Sequence, residues 1–486
     1  MVEFTDSSRR SLFSGAIKPK LKKRQNSMAA ERILMNTTLT TKTKLSYGVG
    51  DLGLALTSAM LGLLFAKFLT DTVGLQPSLA AIAIFVGRTW DWINDPIQGY
   101  ISDRTRSRWG RRRPYLLFGA IPFGITFLML WWIPPIQSQV WLTVYYTAAY
   151  FLFDAMVTLV FIPYVALTPE ITEDYDGRTS LTSFRMFFSL SGSLLGTVAP
   201  LLVLGGAAVP PEKSSVIFMI AAMLAVVSSI PFLITFAGTS ENVIHLQQER
   251  SKLREILQAM RGNRPYLMAI AIYLATIAGF EVLTGTSLYF FQYKLQMPDI
   301  ADYTTLIMFV VALLSIPLWL WVSRKMNKVK GYAVAIAYLT VILLVYASFN
   351  SEVPVFLPFI FSALAGVGIA AGQTLPWAIL PDTVEYGEYL SGKRNEGVFY
   401  SMMTLARKIA SSITLPVVLV LLDWSGYVSN VPQQEPAVVT TIALLFAGIP
   451  SLLFMVGLIT ALRYPLSRER FNEIKVELQR RKALST

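Results

Sequence analysis

Cysteine is absent from this chain of 486 residues, and histidine occurs once, at His245. Without cysteine, the chain has no disulfides, cysteine-based zinc sites or thiolate nucleophiles. His245 lies in a charged stretch, where a solvated loop residue is the favoured interpretation over a catalytic one. Charged residues make up only 15% of the chain, against about 25% in soluble domains. We therefore expect no enzyme, no resident cofactor and no metal beyond a coupling cation.

Apolar residues are abundant instead. They account for 54% of the chain, and the mean hydropathy is +0.52, so lipid is the expected solvent for most of the molecule. The net charge of +12 suggests nucleic acid at first sight. However, the basic residues lie in the gaps between apolar runs rather than along one soluble face, which indicates membrane topology and no nucleic-acid partner.

Apolar stretches long enough to cross a bilayer recur from Leu45 onward. They predict an all-α membrane protein of twelve transmembrane helices, with one six-helix bundle over 45–238 and a second over 265–463. A basic tail over 1–44 is expected to be disordered, 239–264 is a cytoplasmic connecting loop, and 464–486 is an amphipathic cytoplasmic tail. The predicted helices are 45–70, 76–102, 113–134, 138–168, 177–206, 214–238, 265–296, 302–323, 330–350, 354–381, 394–424 and 436–463.

The distribution of basic residues predicts the orientation. Arginines crowd the gap after helix 2, from Arg104 to Arg113, whereas the gap after helix 3, Pro134 to Gln139, has no basic residue. Further basic gaps follow helices 6, 8, 10 and 12. By the positive-inside rule, these gaps and both termini are expected in the cytoplasm, with the chain in the plasma (inner) membrane.

Helix 2 holds the densest group of polar residues in a predicted span, Arg88, Asp91, Asn94 and Asp95. Ionisable groups in a membrane helix are costly, so they point to function. Positions 88, 91 and 95 share one helical face. Two carboxylates and an amide oxygen suit one small cation, and repulsion between the acids favours binding of a cation or proton. A buried ion-pair network anchored by Arg88, without ion binding, is the alternative.

Other predicted spans also contain polar side chains. Lys408 of helix 11 is expected to neutralise an aspartate of helix 2, with snorkelling to the membrane edge as the alternative. Asp154 lies deep in helix 4, one turn from Thr158, while Asp51 near the start of helix 1 is equally compatible with an interfacial acid. Helix 10 adds two side chains able to hydrogen-bond and stack on a polar ligand, Gln373 and Trp377.

Several motifs connect the sequence with a known family. The stretch GYISDRTRSRWGRRR, Gly99 to Arg113, resembles the cytoplasmic loop motif of the major facilitator superfamily. The segment RTWDWINDP, Arg88 to Pro96, resembles the glycoside-pentoside-hexuronide:cation symporter family, to which the bacterial melibiose carrier belongs. Matching segments cover nearly all of 45–463, among them Tyr47–Asp51, Phe68–Gly74, Ile162–Glu170, Phe184–Phe188 and Pro376–Glu388.

The resemblance implies a cation site formed by Asp91, Asn94, Asp95 and Thr158. It also implies a substrate cavity lined by Arg88, Arg185 and Lys408, to which the polar residues Asp51, Asp154, Gln373 and Trp377 are added as further candidate contacts. The expected cytoplasmic gate comprises charged residues near the helix ends, namely Asp103, Arg104, Arg108, Arg111, Arg112, Arg113, Asp174, Asp176, Asp382 and Glu385.

The chain departs from the melibiose branch at its sugar-binding positions. Acids of that branch correspond here to Ala55 and Phe161, and two of its tryptophans correspond to Val165 and Gln373. Galactoside specificity is therefore not expected.

The function that this resemblance implies is cation-coupled symport of a sugar or glycoside, by two bundles that rock around a site in the middle of the membrane. Sodium or a proton is the expected coupling cation, lithium is a further option, and a monomer is the expected state. The first alternative is a transporter of an amphipathic solute such as a lysolipid. Two further hypotheses are a membrane-embedded enzyme and a sensor that binds a sugar without transporting it.

Overall fold

The structure is a computed structural model that describes residues 40–172, 175–241, 262–392 and 396–485. Within these ranges the chain is helical and contains no strand. The first half comprises α1 (Thr41–Phe65), α2 (Pro77–Thr89, continued by Asp91–Arg104), α3 (Arg113–Trp131), α4 (Gln139–Ala166), α5 (Tyr175–Leu204) and α6 (Ser214–Gly238). The second half comprises α7 (Arg264–Tyr289), α8 (Ala301–Met326), α9 (Lys328–Ala347), α10 (Phe356–Ser391), α11 (Glu396–Trp424), α12 (Pro436–Leu462) and a final helix, α13 (Arg468–Ser485).

Eleven helices in the described part of the chain are long and apolar enough to cross a membrane. The twelfth crossing, α2, falls outside that group because it carries the charged residues Arg88, Asp91 and Asp95, and it is interrupted by a turn at Trp90. An even number of crossings places the start of α1 and the end of α12 on one side of the membrane. We call this side the terminal face and the other side the opposite face.

The helices pack as two bundles that meet along a shared interface. In the first bundle α1 packs on α5 and α3 on α6, and in the second α8 packs on α10 and α7 on α12. The bundles contact each other where α2 meets α11, α5 meets α8 and α1 meets α7. The helices α2 and α11 therefore position side chains from both bundles at the centre of the molecule.

Glycines permit the close approach of α1 and α5. A Cβ atom at Gly192 would clash with the carbonyl oxygen of Leu52, and one at Gly196 would clash with that of Leu56. Small residues at such crossings let the backbones of membrane helices touch. The resulting contact fixes α1, which contributes side chains to the interface with the second bundle.

The predicted twelve-helix, two-bundle fold is confirmed, with one notable difference in helix length. The apolar run predicts that helix 10 ends at residue 381, but α10 continues to Ser391, where Gly392 adopts a left-handed conformation with φ of 68°. Asp382 and Glu385 therefore lie on a helix that extends past the apolar run rather than in a loop. The apolar criterion misses this extension because its polar residues project from the bundle end.

The tail helix α13 packs against this extension of α10. Leu466, Ile474 and Leu478 are buried together against Tyr386 and Tyr389. Residues 1–39 of the predicted basic tail and residues 242–261 of the predicted connecting loop lie outside the described residues. Their predicted character therefore stays a prediction.

Candidate functional site

The centre of the site is a lysine from one bundle held between two aspartates of the other. The Nζ atom of Lys408 on α11 lies 2.6 Å from Oδ1 of Asp91 and 2.6 Å from Oδ2 of Asp95, both on α2. The Thr158 hydroxyl of α4 lies 3.2 Å from Oδ1 of each aspartate and can donate to one of them. One ammonium group thus bridges two acids across the interface between the bundles.

This arrangement is largely buried but keeps some contact with the surroundings. The side chains of Lys408, Asp91 and Asp95 are 14%, 19% and 23% exposed. Asn94 belongs to the predicted cation site, as do the two aspartates and Thr158. Its Nδ2 atom is buried and has no hydrogen-bond partner. Carboxylate, amide and hydroxyl groups thus come from α2 and α4, and their oxygens are the ligands that hard cations prefer.

A second set of contacts lies beside this centre. Arg88 of α2 donates from Nη1 to the carbonyl oxygen of Ser411 on α11, at 3.0 Å. The Ser411 hydroxyl donates to Oε1 of Glu281 on α7, and Trp92 Nε1 donates to the hydroxyl of Ser412 at 3.2 Å. The bonds of Arg88 and Trp92 cross between the bundles, so α2 is joined to α11 through both charged and neutral groups.

Asp154 joins the same neighbourhood from α4, one turn from Thr158. Thr158 contacts both Asp91 and Asp95, so Asp154 lies on the α4 face that meets α2. Its Oδ2 atom is buried without a hydrogen-bond partner. Arg88 and Lys408, both assigned to the substrate cavity, contact the other bundle across the interface of α2 and α11. The assignment of Arg88, Asp154 and Lys408 to a substrate cavity stays a prediction.

The other candidates for the substrate cavity lie outside this group of contacts. Asp51 of α1 pairs with Arg185 of α5 at 3.2 Å within the first bundle. Trp377 of α10 is 45% exposed and meets Tyr273 edge to face, with ring centroids 5.2 Å apart. Gln373 lines a separate cavity at the interface between the bundles.

That interface cavity is mainly apolar. It has a volume of about 90 Å³ and lies among α1, α5, α7, α8, α9, α10 and α12. Among its lining residues are Leu63, Phe280, Phe291, Phe309, Gln373 and Phe446. An apolar cavity in the same interface as a charged site offers both kinds of surface that an amphipathic molecule requires.

At the terminal face, arginines of the loop after α2 pair within their own bundle. Nη2 of Arg111 lies 2.7 Å from Oε1 of Glu170, and Nε of Arg112 lies 3.3 Å from the same oxygen. Arg112 also pairs with Asp103 and donates to the hydroxyl of Ser102. Burial raises the pKa of Glu170, and the two arginines offset this effect in part.

The remaining residues of the predicted gate are divided between the bundles. Arg104 stacks on Tyr100 and Arg108 on Trp109 in the first bundle, and Arg113 donates to the carbonyl oxygen of Phe236. In the second bundle Asp382 pairs with Lys328 at 2.7 Å, and Glu385 has a buried carboxylate oxygen without a hydrogen-bond partner. Asp174 and the side chain of Asp176 lie outside the described part of the structure. A gate formed by contacts between the bundles here stays a prediction.

The opposite face has a charged group that the sequence pattern did not single out. Lys67 and Asp71, both fully buried, pair at 2.9 Å one turn apart on the continuation of α1. From the second bundle, Tyr427 donates to Asp71 at 2.6 Å, and Tyr289 shares a 2.9 Å hydrogen bond with Thr70. We call these five residues the opposite-face cluster.

Further contacts join the bundles at this face. Asn430 donates to the main-chain oxygen of Asp71 at 2.6 Å, and the Ala207 amide donates to the carbonyl oxygen of Pro298 at 2.9 Å. The opposite face is therefore closed by hydrogen bonds between the two bundles.

The criterion that singles out helix 2, an ionisable residue in a predicted span, also applies to Lys67 and Glu281 and would have found them.

The fold is shared with membrane transporters whose structures have been solved. The crystal structure of a D-xylose–proton symporter superposes with a TM-score of 0.61 at 16% identity, covering 88% of this chain and 97% of that one. The nucleoside transporter NupG gives a TM-score of 0.59 at 12% identity, covering 88% of this chain and 100% of that one. Both likenesses concern the fold alone.

The family follows from similarity in sequence. Residues 46–468 match the family described as MFS/sugar transport protein, and the chain belongs to that family. It is a transporter rather than an enzyme.

Curated relatives match over nearly the whole chain. A glucuronide carrier protein homolog of Escherichia coli (strain K12) is 30% identical, covering 92% of this chain and 97% of that protein. A sodium-dependent lysophosphatidylcholine symporter of Danio rerio is 29% identical, covering 91% of this chain and 88% of its own length. An uncharacterized symporter of Synechocystis sp. is also 29% identical, covering 94% and 98%. The relatives are symporters and carriers, which agrees with the function predicted from the sequence.

Proposed function

We propose that this transporter couples the downhill movement of sodium to the uptake of a sugar or glycoside by alternating access. In this proposal the chain acts as a monomer in the plasma membrane, and the terminal face is cytoplasmic. The positive-inside rule supports the orientation because arginines such as Arg104 and Arg108 lie on that face. The opposite face is then extracellular, and its hydrogen bonds between the bundles correspond to a state closed to the outside.

One observation carries the proposal, the bridge from Lys408 to both Asp91 and Asp95 at 2.6 Å. A cation that enters between these acids competes with the ammonium group for the same oxygens. When the cation binds, Lys408 loses part of its attachment to α2, and the contact between the bundles weakens. Cation binding and bundle movement are therefore linked, which is what coupled transport requires.

The residues that would hold sodium are those predicted from the sequence, Asp91, Asn94, Asp95 and Thr158. Their oxygens come from two helices of one bundle, so the site can move as a unit. Two acids close together repel each other unless a positive charge lies between them. Lys408 supplies that charge in the structure, and sodium would supply it during the loaded part of the cycle. Sodium dependence of the Danio rerio relative supports this choice of cation.

A single substitution tests the proposal. We expect Asp95→Asn to abolish sodium-stimulated uptake in proteoliposomes and to remove the rise in thermal stability that sodium causes in the purified protein. Asp299→Asn, which changes an exposed acid in the short 3₁₀-helix Pro298–Ile300 at the opposite face, serves as the matched control. The proposal fails if Asp95→Asn retains wild-type uptake with the same sodium dependence. A response to pH instead of sodium would assign the role to protons.

An amphipathic solute such as a lysolipid is the second candidate. The apolar cavity between the bundles, with Phe280, Phe309 and Phe446 in its wall, favours it. The relative of Danio rerio that is named for lysophosphatidylcholine points the same way. Uptake of a lysolipid by the wild-type protein, lost in Phe309→Ser and absent for sugars, would replace the first candidate with this one.

A further inference from the structure

A carboxylate from another part of the first bundle occupies the start of α3. Glu241 follows shortly after α6 ends at Gly238. Its Oε2 atom accepts from the main-chain amide of Arg111 at 2.6 Å, and its Oε1 atom accepts from the amides of Arg112 and Arg113 at 2.8 and 2.7 Å. Three consecutive backbone N–H groups therefore converge on one carboxylate, an arrangement that proteins use to bind anions.

The local sequence explains why this helix end attracts an anion. Arg112 is the residue just before the first turn of α3, and its side chain does not cap the helix. Serine, threonine, aspartate and asparagine are the usual residues at this position, because their side-chain oxygens accept from the first amides. Arginine has no acceptor, and three arginines in a row add positive charge at the positive end of the helix dipole. A carboxylate from outside the helix supplies both the acceptor and the negative charge.

Gly110 provides the space for this carboxylate. Its φ of 100° lies in the left-handed region, which glycine adopts without the strain that a side chain would bring. A Cβ atom at this position would clash with the carboxylate of Glu241. The Gly110 amide donates to the carbonyl oxygen of Ser107, and the Ser107 hydroxyl donates to that of Gly110, which closes the turn. Backbone conformation and free space therefore both suit a carboxylate here.

The same carboxylate holds the backbone from which buried arginine contacts start. We call residues Ser107–Arg113 the arginine loop. Arg111 and Arg112 both pair with Glu170, which is 4% exposed. Arg112 also donates to the hydroxyl of Ser102, which is fully buried. Because Arg111 and Arg112 give their main-chain amides to the carboxylate, the direction of their side chains depends on it.

We propose that the start of α3 is a carboxylate-binding site, which the chain fills with its own Glu241 and whose occupancy holds the arginine loop over Ser102. The site ties the end of α6, from which the chain continues to the second bundle, to the loop that carries charges of the predicted gate. Two oxygens with one negative charge match the three converging donors. A neutral amide does not match them, because its NH₂ group would face a main-chain N–H group.

A buried cysteine can report whether the arginine loop is in place. The chain has no cysteine, so Ser102→Cys introduces a single thiol at a fully buried position in contact with Arg112. In this background we expect Glu241→Ala to raise the rate of maleimide labelling at least about tenfold, because three amide donors lose a charged acceptor. Glu241→Gln should also raise the rate, since it keeps the size of the side chain without its charge. Labelling at the parent rate in either variant would overturn the proposal.

Acetate separates a carboxylate site from a purely structural role of the side chain. Alanine keeps the Cβ atom, and acetate has the size of the atoms that Glu241→Ala removes. Replacing chloride by acetate at constant ionic strength should slow the labelling of Glu241→Ala by at least about threefold and raise its melting temperature. The parent protein should not respond, because its own carboxylate fills the site at a high effective concentration. If acetate has no effect on Glu241→Ala, the proposal is wrong.

The matched control is Glu352→Ala, which changes an exposed acid between α9 and α10. Its labelling rate and melting temperature should equal those of the parent in both salts. A response of this variant to acetate would assign the effect to acetate in general and overturn the proposal. Both readouts are measured without sodium or a transported solute, so their outcome does not depend on the proposed symport.

Discussion

Two lysines form ion pairs within the membrane, and they differ in burial, in the number of their partners and in the bundle from which the partners come. Lys67 is fully buried and pairs with Asp71 of its own helix. Lys408 is 14% exposed and pairs with two aspartates of the other bundle. The first pair is complete and reinforced by tyrosines, whereas the second places two acids around one base. The fully buried pair of Lys67 and Asp71 is suited to hold the bundles in one conformation. The pairing of Lys408 with two acids is suited to a change of partner.

The surroundings explain this difference. Lys67 Nζ lies 4.4 Å from the ring centre of Tyr289 and 5.1 Å from that of Tyr293, so aromatic faces cover it. Two π-helical turns, Leu61–Phe65 and Phe68–Thr72, flank this part of the helix, and such turns are frequent at functional sites. Lys408, by contrast, lies beside Asp91 and Asp95, and both of these acids also contact the hydroxyl group of Thr158.

The largest effect is expected at the fully buried pair. Lys67→Met leaves Asp71 without its base in an apolar environment, and loss of one partner of a buried pair costs about 3–5 kcal/mol. We expect a strongly lowered melting temperature of the purified protein. Lys67→Met combined with Asp71→Asn should recover at least half of that loss, because the amide is uncharged and still accepts from Tyr427. The exposed change Lys330→Met serves as the control.

A smaller effect on stability but a severe effect on transport is expected at the centre. Lys408→Met removes the internal competitor of the cation and the bridge between the bundles. Sodium should then stabilise the protein at lower concentration than in the wild type, while solute uptake falls below about a tenth. Thermal shifts against sodium concentration and uptake in proteoliposomes measure these effects. Wild-type uptake in this variant would show that the bridge is dispensable.

Closure of the opposite face is expected to weaken when a single hydroxyl is removed. Tyr427→Phe deletes the donor to Asp71, which costs about 1–3 kcal/mol because a buried acceptor loses its partner. The chain has no cysteine, so a single Ser287→Cys reporter on α7 can be labelled selectively. We expect faster labelling by an impermeant maleimide added at that face.

The control for this experiment is Tyr338→Phe. The Tyr338 hydroxyl donates to the carbonyl oxygen of Leu364 at 3.0 Å within the second bundle. Its loss should leave the labelling rate unchanged. Equal rates in Tyr427→Phe and the wild type would show that the opposite-face cluster does not hold the closed state.

The smallest effect is expected at a third, more exposed lysine. Lys328 pairs with Asp382 at 2.7 Å near the terminal face, with side-chain exposures of 38% and 22%. Exposed pairs contribute about 0–1 kcal/mol because water screens them. Lys328→Met should therefore change the melting temperature little, in contrast to Lys67→Met. If Lys328→Met lowers the melting temperature as much as Lys67→Met does, solvent exposure does not explain the differences in stability among the lysine variants.

The amino-acid sequence by itself defines the helices and the polar residues on the face of α2 that points to the centre of the molecule. The length of the apolar runs identifies the spans, since the bilayer has a fixed thickness. The helical period places Asp91 and Asp95 one turn apart on one face, whatever the rest of the molecule does. The same local rules misjudge the end of α10, because a helix that extends beyond the membrane loses its apolar pattern.

The partners of these residues, in contrast, are established by packing. Packing brings Lys408 to both aspartates rather than one, joins Arg88 and Glu281 through Ser411, and pairs Arg111 and Arg112 with Glu170 of their own bundle. Such contacts depend on how far each helix is rotated and on which face of the membrane is closed. Neither quantity is encoded in a local pattern, because both follow from the fit of two bundles against each other.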